Sequence, residues 1–167
     1  LKGQQYILCP TRKDSAWLSW YEQTLTSLGL QVNIMSAEEH DKEMSVVQCL
    51  THLANLTLAT AITRLNYDLD KHALSSPIYK LKIAIAGRIL NQNPELYADI
   101  ELENPFAEKV AKTYLESIQE YVECIQNKDR NEFIDLFTEA SRHFKPILLK
   151  SQQDTTRAIK ALQDGNA

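Results

Sequence analysis

Residues 36–65 read SAEEHDKEMSVVQCLTHLANLTLATAITRL, and the fold turns on this stretch. Ser36 with Glu39 three residues later is a capping-box signature, in which each side chain satisfies a backbone donor of the first turn. Neither glycine nor proline occurs again until Pro77. The aliphatic residues Val46, Val47, Leu50, Leu53 and Leu56 crowd the middle of the segment. The spacing predicts one long helix over residues 37–65, buried on more than one side.

Upstream the pattern is different. Residues 4–9 form a short apolar run stopped by Pro10, a strand signal. Asp14 can cap a helix carrying Trp17, Leu18, Tyr21, Leu25 and Leu28, closed by Gly29. Residues 30–35 alternate and read as a second strand. Two strands rarely make a stable sheet alone, so residues 1–36 are expected to be the edge of an α/β sheet. The chain has no initiator methionine, and residue 1 is expected to be a truncation point.

Downstream, every start signal is helical. Pro77 opens a helix over residues 76–92, and Asn93-Pro94 opens another carrying Leu96, Tyr97 and Ile100. Asn104-Pro105 starts a helix running to Asn127, with Phe106, Val110, Tyr114, Ile118 and Tyr121 as its apolar stripe. Asp129 and Glu132 cap a further helix with Phe133, Ile134, Phe137 and Phe144 facing inward, ended or kinked at Pro146. The polar tail after Lys150 is expected to be helical in part, with a frayed end. The fold class is mainly α: a helical domain over residues 37–167 behind a strand-helix-strand over residues 1–36.

Composition narrows the function. A net charge of −4 without a basic run argues against nucleic acid, and no uninterrupted apolar run reaches the ~20 residues of a membrane span. Cys9, Cys49 and Cys124 are odd in number and far apart, with no metal-ligand spacing, and read as free buried thiols of a cytoplasmic protein. No Gly-rich phosphate loop, nucleophile elbow or metal box occurs.

Two constellations remain. Gln48, His52 and Asn55 share one face of the long helix, set among aliphatics, and need partners from another element, another chain or a ligand. The alternatives are a hydrogen-bonded core histidine and a ligand contact. On the next helix Lys80, Ala84 and Arg88 form a row at i, i+4 and i+8 beside Gly87. Either a second helix crosses closely at the glycine and a buried Arg88 pairs with Asp99 or Glu95, or the arginine fork grips a ligand carboxylate. His40-Asp41, in the first turn of the long helix, suits a structural role at the dipole's positive end.

Three motifs, SAEEHD leading into VVQCLTH, LSSPIYKLKIAIAGRI and NPELYADI, resemble the C-terminal part of the prephenate dehydrogenase family, the second especially like members fused to chorismate mutase. ILCPTR and LGLQVNIMS resemble the end of that family's NAD-binding domain. The resemblance implies a helical dimerisation domain of the 6-phosphogluconate-dehydrogenase-like type behind the last edge of a Rossmann domain. It implies oxidative decarboxylation of prephenate to 4-hydroxyphenylpyruvate in tyrosine biosynthesis, with NAD held by the N-terminal domain. No catalytic or cofactor-binding residue falls in these 167 residues, which alone are expected to be inactive. Arg88 falls on the family's carboxylate-gripping arginine, and His52 on the histidine lining the substrate and tyrosine-inhibitor pocket. Lys80 stands where fused relatives carry arginine, which keeps the charge and loses the fork. Gln48 is placed with them as substrate-binding, and Tyr97 takes the aromatic position of the third motif. The alternative function is a stand-alone helical module that dimerises or senses an aromatic amino acid.

Overall fold

The computed structural model describes residues 2–11, 16–69 and 75–164. Strand β1 (Gln5–Leu8) pairs in parallel with β2 (Gln31–Ile34), Gln5 opposite Gln31 and Leu8 opposite Ile34, with helix α1 (Ala16–Ser27) between them. Gly29, at φ +86°, turns the chain into β2 with a left-handed backbone that favours glycine. The expected cap Asp14 lies outside the described residues. Leu18, Leu25 and Leu30 are buried, but Trp17, Trp20 and Leu28 stay more than half exposed. A two-stranded sheet offers too little surface to cover them.

The long helix forms with an irregularity that its sequence did not announce. Ser36 Oγ accepts from Glu39 N (3.1 Å) and Glu39 Oε2 accepts from Ser36 N (2.8 Å), so the predicted capping box is made. Helix α2 (Ala37–Met44) then widens into a π-helical segment, Ser45–Leu50, before α3 (Thr51–Arg64). Burial is narrower than expected: Ser45, Cys49 and Asn55 are the buried residues of this run, while Val46 and Val47 are more than half exposed. By length and composition alone, Ala37–Arg64 could cross a bilayer. Within the chain it contacts three other helices and carries polar residues at its middle.

Helix α4 (Pro77–Leu90) is capped by Ser76, whose Oγ accepts from Tyr79 N. Asn93 caps α5 (Pro94–Leu102). Asn104 does two things before α6 (Ala107–Asn127): Oδ1 accepts from Phe106 N, and Nδ2 donates to Asp41 O at 2.7 Å, tying this turn to α2. Asp129 caps α7 (Arg130–Phe144) through the amides of Asn131 and Glu132, and the turn holding Pro146 separates it from α8 (Leu148–Asp164). The tail is thus helical through Asp164, beyond the partial helix expected, supported by Lys150–Asp154 and Asp154–Arg157 pairs one turn apart. Its last three residues lie outside the described ones.

The π-helical segment packs on α6, α3 on α4, α4 on α8 and α6 on α7. Two further expectations are corrected. Phe133, Ile134, Phe137 and Phe144 do not fill a core: each is at least 41% exposed, because α6 covers that face of α7 only in part, with the rings of Tyr121 and Phe133 edge-to-face at 5.2 Å. The three cysteines are free, but only Cys49 and Cys124 are buried; Cys9, beside the small sheet, is exposed.

Candidate functional site

Among the described residues, two of the four buried side-chain polar atoms without partners, on His52 and Glu101, face each other between α3 and α5; the other two belong to Asn55 of α3 and Tyr79 of α4. His52 enters from the first turn of α3, directly after the π-helical segment. Tyr97 and Glu101 enter from α5, one turn apart and therefore on one face. The rings of His52 and Tyr97 meet edge-to-face, with centroids 4.7 Å apart. His52 Nδ1 stands 3.9 Å from Glu101 Oε1, too far for a hydrogen bond, and both atoms are buried without a partner. Cys49 Sγ donates to Ile100 O at 3.4 Å and holds the α5 backbone at this point against the helix.

Desolvation disfavours charge at both groups. Burial lowers the His52 pKa below its ordinary 6.5, so the imidazole is neutral at neutral pH. Burial raises the Glu101 carboxyl above its ordinary 4.5. The Cys49 thiol is raised as well, first by burial and then by the charge of Glu101, so it is not an activated nucleophile. What results is a neutral imidazole beside a carboxyl group and against an aromatic ring. Such a site can accept or donate one hydrogen bond to a polar group of a ligand.

The sequence-predicted residues divide. His52 is the half-buried member of this cluster and is not a hydrogen-bonded core histidine. Asn55 is buried; Nδ2 donates to Thr51 O at 2.7 Å and Oδ1 has no partner. Gln48 is half-buried within the π-helical segment. Lys80 lies elsewhere, lining a cavity of about 540 Å³ between α4 and α8 with Tyr79, Ile83, Ala84, Ile159 and Leu162. Arg88 is two turns on, about 12 Å by helix rise, and it is exposed, which corrects the expectation of a buried arginine. Neither Asp99 nor Glu95 pairs with it, and a Cβ added at Gly87 would meet nothing within 4 Å. The close helix crossing therefore does not occur among the described residues. His40 Nδ1 lies 3.0 Å from Asp41 Oδ1, and the tie to Asn104 is made by the Asp41 backbone carbonyl, not by the carboxylate expected at the dipole's positive end, where the first turn carries Glu38 and Glu39. Glu101 was missed by sequence reasoning; its four-residue spacing from Tyr97 was the available signal.

Residues 36–139 match the family model described as the prephenate dehydrogenase dimerization domain. The chain belongs to the prephenate dehydrogenase family. It is 36% identical over 165 residues, 97% of its length, to a probable arogenate/prephenate dehydrogenase of Methanocaldococcus jannaschii, of which it covers 37%. It is 31% identical to a T-protein of Enterobacter agglomerans over 91% of its length and 42% of that relative. The fold matches the crystal structure of prephenate dehydrogenase from A. aeolicus in complex with hydroxyphenyl propionate and NAD+, with a TM-score of 0.68 at 25% identity, over 87% of this chain and 51% of that one. The chain thus spans about two fifths of the length of these curated relatives. None of these matches favours the stand-alone module.

Proposed function

We propose that this chain is the C-terminal portion of a dehydrogenase that converts prephenate to 4-hydroxyphenylpyruvate by oxidative decarboxylation, in cytoplasmic tyrosine biosynthesis. In this reading residues 1–36 close a dinucleotide-binding domain, and residues 37–167 form the helical domain that dimerises and covers the substrate. NAD is assigned to sequence outside these residues, since none of the 167 forms a Gly-rich phosphate cradle. No step of the chemistry is placed on this chain; its residues bind and orient.

The observation that carries the reading is the state of Arg88 within this family's domain. A guanidinium with no ion pair among the described residues, beside a glycine with open space, is an anion site in waiting. Prephenate is a dianion, and the planar fork matches a carboxylate bidentately. His52 supports it independently: a neutral imidazole suits a hydroxyl of the substrate or of tyrosine as inhibitor. Lys80, exposed and about 12 Å from Arg88 by helix rise, adds positive charge along the approach rather than a second grip. Gln48 is kept as a polar substrate contact on the strength of its half-buried place one turn before His52.

In the full-length enzyme, Arg88→Ala raises the KM for prephenate and leaves NAD affinity nearly unchanged. The lost charge-assisted contact corresponds to about 2–4 kcal/mol, a fall in kcat/KM of roughly 30- to 1000-fold. Arg88→Lys recovers part of it. Unchanged prephenate kinetics would remove Arg88 from the site. The M. jannaschii relative's description also admits arogenate, which has an amino group where prephenate has a keto oxygen. Comparing kcat/KM for the two substrates decides between them.

A further inference from the structure

We propose that Glu101 is a positioning residue for His52: its carboxylate draws the imidazole proton onto Nδ1 and leaves Nε2 as the bare acceptor presented to a ligand O–H group. The proposal deepens the reading of His52 as a ligand contact and rests on it for the ligand alone. The state of the imidazole is a property of this chain.

Four observations converge. His52 Nδ1 and Glu101 Oε1 are both buried and both unpartnered, and they face each other at 3.9 Å. A proton on Nδ1 directed at Oε1 satisfies both at once, either after an approach of about 1 Å or through one bridging oxygen about 2.8 Å from each. Among the described residues, no lysine or arginine pairs with Glu101, so the imidazole is the group its carboxylate has to meet. The geometry is held from both helices. Tyr97 braces the ring edge-to-face from the same face of α5, and the Cys49–Ile100 contact fixes the backbone next to Glu101. Nε2 is not among the buried unpartnered atoms, so the ring has one end turned to the protein and the other available.

The chemistry rests on the two ring nitrogens being distinct. A neutral imidazole has one N–H and one lone pair, and the partner of one nitrogen decides the state of the other. Free histidine favours the proton on Nε2. A carboxylate at Nδ1 reverses that preference, and an imidazole so held accepts at Nε2, as neutral metal-bound histidines do when a carboxylate orients them. The Cys49 thiol beside the pair is held protonated by burial and by the charge of Glu101, and does not replace the carboxylate.

Long-range 1H–15N NMR on the 167-residue chain reads the two tautomers directly, with the His52 signals assigned by their loss in His52→Gln. At pH 8 the wild type is expected to carry the proton on Nδ1. Glu101→Leu moves it to Nε2, and Glu101→Asp keeps it on Nδ1. A wild-type Nε2–H form, or an unchanged tautomer in Glu101→Leu, overturns the proposal. Should Glu101→Leu not fold, titration of the wild type decides: the His52 15N shift and the Glu101 carboxyl 13C shift move at a common midpoint, and unlinked midpoints overturn it. In the full-length enzyme, Glu101→Leu then lowers kcat/KM for prephenate on the order of tenfold. A flipped tautomer with unchanged kinetics would sustain the positioning of His52 and overturn its place as a ligand contact.

Discussion

Burial moves His52 and Glu101 toward their uncharged forms, and the two shifts act on folding in opposite pH directions. The folded-state pKa of His52 lies below its unfolded value of 6.5. As pH falls through 6.5, the unfolded chain takes up that proton first, so stability is lost until the folded value is passed. Glu101 is raised above 4.5, so its carboxylate costs stability at every pH above its folded value, and that cost disappears as pH falls to 4.5. Substitutions that abolish titration separate the two. Relative to wild type, His52→Gln should gain stability as pH falls from about 7.5 to about 5.5, and Glu101→Gln should gain as pH rises from about 4 to about 7. Urea unfolding across that range measures both, and a pH-independent difference would mean the groups are solvated in the folded state. Part of this site was legible in sequence. His52 was marked by its place on an apolar helix, because a polar residue there must find a partner. Its partner was not marked, because Glu101 belongs to a separate helix and nothing in the spacing of α3 selects it. Arg88 was read as buried since its neighbours are Ile85, Ala86, Ile89 and Leu90, yet only Ala86 among these is buried. An apolar helix that serves an intermolecular surface has the same composition as one that fills a core.

At the level of elements, capping chemistry placed the helices correctly. Ser36, Ser76, Asn93 and Asp129 each accept from an amide of the first turn, as their sequence positions required. The π-helical segment was not legible, since it depends on an i→i+5 pattern that no residue type enforces. Its consequence is mechanical. A π-turn holds one residue more than the α-helix it interrupts, so it can release one without rotating the helix beyond it. Deleting the exposed Val47 should therefore convert Ser45–Leu50 to regular helix and keep His52 and Asn55 on their present face. The expected change is within about 1 kcal/mol, or roughly 2–4 °C in Tm for a chain of this size. Deleting Thr57, also exposed but in regular α3, rotates the rest of that helix by about 100° and exposes the face that packs on α4. That variant should unfold far earlier. Equal melting of the two deletions would show that the π-turn carries no slack.

For the whole molecule, the misplaced expectation is the most informative one. Helices α6 and α7 have strong apolar stripes, and the sequence rule that such stripes face a core holds only if the core lies within one chain. Here Leu115, Val122 and Ile125 of α6 and Phe133, Ile134 and Phe137 of α7 are all more than 40% exposed. On a domain whose family description is dimerization, exposed apolar side chains of this kind are where a second copy is expected to pack. Two-fold symmetry places each substituted side chain in the interface twice. Burying one phenylalanine contributes about 1.5–3 kcal/mol, so Phe137→Glu removes at least twice that, about 3–6 kcal/mol per dimer. The dissociation constant rises by roughly 10²- to 10⁴-fold. Sedimentation velocity at micromolar concentration should show a dimer for the wild type and a monomer for Phe137→Glu, with the helical circular dichroism retained. Lys160→Glu, exposed on α8, serves as the charge control and should remain dimeric. If Phe137→Glu stays dimeric while Val46→Glu dissociates, the interface runs instead along the π-helical segment, where Val46 and Val47 are equally bare.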